Sequence, residues 1–294
     1  MDHVTWLDKV LPDRPPVICA FRGWNDGGQA ASVAARYLAE RWEAEPFAYL
    51  DPEEFFDFQV TRPTVRLEDG VSRVIEWPRG EFTAAKVDGR DVVVFASGEP
   101  NNRWRTFANT VVEVSRRVRS GLVVTLGAFL TDVPHTREVP VVGSAADEDT
   151  ALRLGLARSQ YEGPTGITGV LHDTALRVGL PSVSLWAAVP HYLPAAPNPK
   201  AALALVRRVC ALLEFSVDVA PLVQAAAAWE ETVAQLLADS EELTDYVQRL
   251  ESTADESPSQ AVTPTPMTEE PIPTGDALAE EFERYLREQG GTNG

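Results

Sequence analysis

Apolar and polar positions along this chain follow two alternating periods. Short unbroken apolar runs, PPVICAF, RDVVVFAS, LVVTLGAF and PSVSLWAAV, are bounded by proline, glycine or charge and predict buried strands. Between them, GGQAASVAARYLAERWEA, RWRTFANTVVEVSRR, GITGVLHDTALRVG and PNPKAALALVRRVCALLEF carry helical spacing. Gly121 closes the second of these helices, and a proline in the first turn opens the last. PFAYLDPEEFFDF predicts a strand running into a polar and aromatic loop; VPVVGSAAD predicts a short strand and EDTALRLGL a helix. In TVRLEDGVSRVIEWP, Asp69-Gly70 separates two alternating runs and predicts a hairpin, read as an antiparallel addition to the sheet. Strands alternating with helices predict an α/β fold: a three-layer α/β/α sandwich with a mainly parallel sheet and right-handed crossovers.

The pattern changes after residue 215. APLVQAAAAWEETVAQLLADSEELTDYVQRLES predicts two acidic amphipathic helices with a break near Asp239-Ser240. TADESPSQAVTPTPMTEEPIPTG is rich in proline, serine, threonine and acid and predicts a disordered linker. DALAEEFERYLREQ predicts a final helix whose Leu278, Phe282, Tyr285 and Leu286 share one face. The expected organisation is an α/β core over 1–215, an acidic helical extension over 216–252, a linker over 253–275 and a terminal helix over 276–290.

Charge sharpens this division. The net charge is −18, and from Glu214 onward eighteen acids face three bases. The core is therefore nearly balanced, and with no cationic cluster it is not expected to bind nucleic acid. The amino-terminal stretch has no signal-peptide pattern, and no apolar run reaches membrane-spanning length. Two cysteines, Cys19 and Cys210, offer no disulfide framework and read as small buried hydrophobes. The expectation is a cytoplasmic protein without membrane attachment.

In a parallel sheet, ligands bind beyond the carboxyl ends of the strands. The residues that follow the predicted strands give a candidate cleft of Asn25, Asp26, Glu99, Asp132, His135 and His191. His135 and His191 with Asp132 have the chemistry to move a proton or bind a metal; equally, each histidine sits beside a proline and reads as satisfying loop backbone. Asn25 and Asp26 read as turn or capping residues ahead of a helix starting near Gly28, with phosphate binding disfavoured by the acid. Phosphate-loop, dinucleotide, nucleophile-elbow and zinc spacings are all missing, so no catalytic residue, cofactor or metal is expected. Trp24, Trp104, Arg105 and Phe107 form a candidate protein interface, because aromatic and arginine side chains dominate binding hot spots. Core packing is the competing account of the aromatics.

FRGWNDGGQAAS, SGEPNNRWRTF, LGAFLTDVPHTREVPV, SQYEGPTGITGVLHD, SLWAAVPHYLPAAPNPKA and GDALAEEFERYL together resemble the bacterial branch of the proteasome assembly chaperone 2 family. The resemblance implies a phosphorylase/hydrolase-like fold, no established enzymatic activity and a tendency to form homo-oligomers. It implies a chaperone-like role with a protein partner, for which proteasome α subunits are the candidate. Archaeal relatives that dock on proteasomes end in a hydrophobic-tyrosine-any-residue tail; this chain ends REQGGTNG and its Tyr285 falls within the helix motif, so tail docking is not expected and chaperoning by the globular face stays open. The alternative is an enzyme or small-ligand protein of phosphorylase or hydrolase type using the strand-end cleft.

Overall fold

The apolar runs become the centre of a nine-stranded sheet in the computed structural model, which describes residues 3–159, 161–193, 197–238 and 240–256. In chain order the strands are Val4–Trp6 (β1), Val17–Arg22 (β2), Glu45–Leu50 (β3), Thr64–Glu68 (β4), Ser72–Glu76 (β5), Glu81–Val87 (β6), Arg90–Gly98 (β7), Val123–Thr131 (β8), Val141–Ala145 (β9), Ala157–Arg158 (β10) and Ser182–Pro190 (β11). The helices are Ala30–Arg41 (α1), Pro52–Phe55 (α2), Trp104–Arg117 (α3), Glu148–Leu154 (α4), Ile167–Arg177 (α5), Pro199–Leu213 (α6), Ala220–Ala238 (α7) and Glu241–Glu256 (α8). The large sheet has the order β1-β3-β6-β7-β2-β8-β11-β9-β10. Its centre, β7-β2-β8-β11, is parallel throughout, and antiparallel pairings add β6, β3 and β1 on one side and β9 on the other. The four parallel strands therefore deliver their carboxyl ends, and the loops that follow, to one edge.

Side chains along a strand alternate in direction, and both faces are apolar here. Ile18, Ala20, Val124 and Leu126 face α1 and α6. Val17, Cys19, Phe21 and Val123 face α3 and α5. This is the three-layer sandwich that the pattern predicts.

Three departures have physical causes. Glu81–Val87 (β6) carries acid, lysine and alanines, so its own pattern does not predict a strand. It is held by pairing along β7 and by Phe82 stacked on Phe95 at 4.1 Å, after a turn with both Asp88 and Gly89 at positive φ. The Asp69-Gly70 hairpin forms, with φ of 52° and 73°, but it is a separate two-stranded sheet and not an addition to the large one. The loop expected after β3 opens with the short helix α2, capped by Asp51, whose Oδ1 accepts the Glu53 amide at 3.1 Å.

The acidic extension shares the core. Leu222 and Ala226 of α7 join the cluster beneath α1 and α6, while Val233, Leu237 and Val247 form a further cluster with Tyr192, Leu193 and Trp229. The junction is tied down as well: Trp42 Nε1 donates to the Ser216 carbonyl at 2.9 Å and Tyr37 to the Asp218 carbonyl at 2.7 Å. Helix α8 continues to Glu256, four residues past the expected boundary at 252. The rest of the expected linker and the terminal helix lie outside the described residues.

Candidate functional site

The loop after β2 is shaped by its glycines. Gly28 has φ of +57°, and a Cβ there would meet Asn198 Cβ at 3.0 Å, so the loop presses against the start of α6. This bend turns Asp26 into the amino terminus of α1, which begins at Ala30 after a 3-10 turn over Gly27–Gln29, two residues past the Gly28 start expected. Asp26 Oδ1 accepts the amides of Ala31 at 2.8 Å and Ser32 at 3.2 Å. Those donors would otherwise be orphaned at the helix end. Its Oδ2 is buried with no hydrogen-bond partner among the described residues. Burial raises the Asp26 carboxyl above its ordinary 3.8, opposed by the hydrogen bonds from Ser32 and Ala31.

Asn25 is buried and joins three elements. Its Nδ2 donates to Glu99 Oε1 at 3.1 Å, and its Oδ1 accepts from Thr168 Oγ1 at 3.3 Å. The same Glu99 oxygen accepts the amide of Ile167, the first residue of α5, at 2.8 Å. A Cβ on Gly166 would fall 2.0 Å from Asn25 Nδ2, so only glycine admits this contact. Two of the helix amino termini at this edge, α1 and α5, are thus filled by carboxylates of the chain itself, α6 is capped by Asn198, and α3 has no side-chain cap. Anions favour such positions.

Asp132, His135 and His191 follow β8 and β11 but serve another purpose. His191 Nδ1 lies 2.9 Å from Asp132 Oδ1, and that oxygen accepts from Tyr246 Oη of α8 at 3.1 Å. Tyr192 Oη accepts the His135 amide at 2.9 Å and meets its ring Nδ1 at 2.8 Å. Tyr192 and Trp229 stand edge-on against the His135 ring. Lys200 reaches from α6 to the His135 carbonyl at 2.6 Å and to Glu230 of α7. Burial, then the neighbouring Lys200 charge, lowers the His135 pKa and favours the neutral ring. Arg137 grips Asp255 through two hydrogen bonds of 2.8 and 2.7 Å and also reaches Glu251. The loop after β8 is therefore a dock for α7 and α8.

The single cleft expected from the sequence is thus two groups. Asn25, Asp26 and Glu99 close the starts of α1 and α5; Asp132, His135 and His191 hold the helical extension. Among the described residues no hydrogen bond links the two groups. Two open crevices lie away from both groups, one on α8 lined by Asp245, Gln248, Arg249 and Ser252, the other of about 400 Å³ beside Arg14, Lys86 and Phe215. Among the described residues no cluster of three or more metal-ligating side chains occurs, and no helix is long and apolar enough to cross a membrane.

The candidate interface is corrected at one residue. Phe107 is 0% exposed, wedged among Phe21, Phe55 and Phe95, because it lies on the inner face of α3. Trp104 is half-buried and its indole donates to the Pro100 carbonyl at 2.6 Å. Trp24 is 53% exposed, and Arg105 is exposed. The sequence pattern also passes over His172, a residue of α5 whose ring reaches side chains of β8 and β11. Its Nδ1 is 2.6 Å from Ser182 Oγ and its Nε2 2.9 Å from Thr125 Oγ1, and burial lowers its pKa to about 4. Asn198, which caps α6 through the Ala201 amide at 2.9 Å, was legible as an N-cap before Pro199.

Comparison with known proteins follows the same fold. The profile of the PAC2 family matches residues 20–237. A PAC2 family protein from Streptomyces avermitilis is 47% identical, with the match covering 79% of this chain and 99% of that chain at a TM-score of 0.74. The Mycobacterium tuberculosis proteasome-assembly chaperone homologue is 45% identical over 79% of this chain and 99% of that chain, at a TM-score of 0.71. An archaeal proteasome activator from Pyrococcus furiosus shares the fold at 19% identity, covering 80% of this chain and 99% of that one, with a TM-score of 0.65.

Proposed function

The chain belongs to the PAC2 family, and on that premise we propose that it is a non-enzymatic, chaperone-like protein that binds a protein partner. The partner proposed is a proteasome α subunit, by analogy with relatives described as proteasome-assembly chaperone homologues. One observation carries the reading. Asp26 and Glu99 already fill the amino termini of α1 and α5 at the carboxyl edge of the sheet, while Trp24, in the loop after β2, is 53% exposed. A phosphate-handling enzyme would leave such termini open to its ligand. A binding protein needs an exposed aromatic on a rigid loop. Arg105 supplies the charged partner of that surface, and Trp104 its half-buried support. Residence in the cytoplasm and self-association as a homo-oligomer belong to the same proposal.

The test is affinity capture from the native cell with wild type and Trp24→Ala, identifying bound proteins and small molecules together. Proteasome α subunits are expected with wild type and are depleted in the variant. A bound nucleoside or phosphate ester without any α subunit would support the enzyme alternative instead. Loss of its turnover in His135→Ala would then place the chemistry on the loop after β8.

A further inference from the structure

The β4–β5 hairpin stands by itself. Every residue from Thr64 to Trp77 is exposed, so neither face is covered by the rest of the described molecule. The register sorts its side chains. Val65 opposes Ile75 and Leu67 opposes Arg73, so these four share one face, where the three apolar side chains are each more than half exposed. Thr64, Arg66, Glu68, Ser72, Val74 and Glu76 form the other face, with Arg66 paired to Glu76. A two-stranded sheet is marginal in water; three or more strands with an apolar face are needed for stability of its own. The edges of the hairpin are open as well. Neither strand contains proline or lysine, and the pairing runs without a bulge, so these usual devices against strand addition are missing from both.

We propose that two copies of this chain pair through β4, antiparallel about a two-fold axis at Leu67, to form one four-stranded sheet of order β5-β4-β4-β5. This rests on the self-association proposed above and names its surface. The support is self-complementarity. In a two-fold antiparallel pairing, opposed residues lie on the same face, so the axis passes through a residue and each register can be read for charge. With Leu67 on the axis, Arg66 of each copy faces Glu68 of the other, and Leu67 faces Leu67, while Val65 meets the turn residue Asp69 at either end. Each Arg66 then lies between two acids, Glu76 of its own hairpin and Glu68 of the other copy. With Arg66 or Glu68 on the axis, like charges face each other, which is destabilising. With Thr64 or Val65 on the axis, Pro63 enters the ladder with no N–H to give. The outer edge of β5 is poorer: centring on Val74 sets Arg73 against Ile75 and Ser72 against Glu76, and no register centred within β5 sets an arginine against an acid. In the Leu67 register the joined apolar face carries Val65, Leu67 and Ile75 from each copy, with Arg73 at its rim.

Light scattering on the full chain over a concentration series tests this. Wild type is expected to self-associate. Glu68→Arg sets arginine against arginine at both pairs and is expected to weaken the association by roughly tenfold or more, at matched circular dichroism. The charge swap Arg66→Glu/Glu68→Arg restores it, because both pairs are reversed in both copies. Leu67→Cys places a thiol on the axis opposite its own copy, and mild oxidation is expected to give a disulfide-linked dimer that wild type, with Cys19 and Cys210, does not form. Monomeric wild type at every concentration removes the self-association itself, and this contact with it. An oligomer indifferent to Glu68→Arg, and not crosslinked through Leu67→Cys, leaves self-association to another surface and overturns this contact alone. Dissociation by Glu68→Arg without recovery in the charge swap overturns it as well.

Discussion

At Asp26 two demands compete. The carboxylate satisfies the Ala31 and Ser32 amides, yet its second oxygen is buried without a partner. Removing the cap leaves two buried donors unpaired, so Asp26→Ala is expected to lose about 1–2 kcal/mol in chemical denaturation. Asp26→Asn keeps an acceptor for those amides and removes the buried charge. The folded pKa is raised above the ordinary 3.8, so the protonated form is the one that folding favours. Stability contributed by that protonation is present below 3.8 and is lost as pH rises through the folded value. Wild type should therefore lose ground to Asp26→Asn as the pH is raised from the acid side. Parallel stability curves for the two proteins would contradict this. His172 has the opposite sign. Its folded pKa is lowered from 6.5 to about 4, so its contribution is complete above 6.5 and is lost as pH falls toward 4. Wild type should lose up to roughly 2–3 kcal/mol over that window relative to His172→Gln. Identical pH dependence in the two proteins would show that the ring does not titrate with folding.

At the scale of elements, the parallel strands were legible because they are short, purely apolar runs with clear punctuation. Glu81–Val87 was not, because its register comes from β7 and the Phe82–Phe95 stack and not from its own alternation. Phe107 was misread for a related reason: a residue three beyond a helix start faces the core or solvent according to how the helix is rotated, which Trp104 and Arg105 do not reveal. Asp26 was legible as a cap, since the acid precedes a helix. The second role of Glu99 was not, because the amide it meets belongs to α5, sixty-eight residues away. Asp132, His135 and His191 likewise take their meaning from where α7 and α8 return to the core. That return has a direct test in Arg137→Glu, which sets a third acid beside Glu251 and Asp255. Exchange of α8 amides is expected to quicken several-fold while β8 is unchanged. An unaltered α8 would mean that Val247 and Tyr246 hold the helix without the ion pairs.

For the whole molecule, the fold places the same carboxyl edge within reach of two readings, and side-chain chemistry supports the one proposed. A ligand-binding edge would present vacant amides to an anionic ligand. At α1 and α5 the chain's own carboxylates occupy the amides, the loop after β8 is committed to an internal dock, and Trp24 projects outward. The most direct measurement is calorimetric titration of purified proteasome α subunit with the wild-type chain and with Trp24→Ala, both matched for folding by circular dichroism. Binding at tens of micromolar or tighter is expected for wild type, weakened at least tenfold in the variant. No heat of binding for wild type at tens of micromolar would contradict the account.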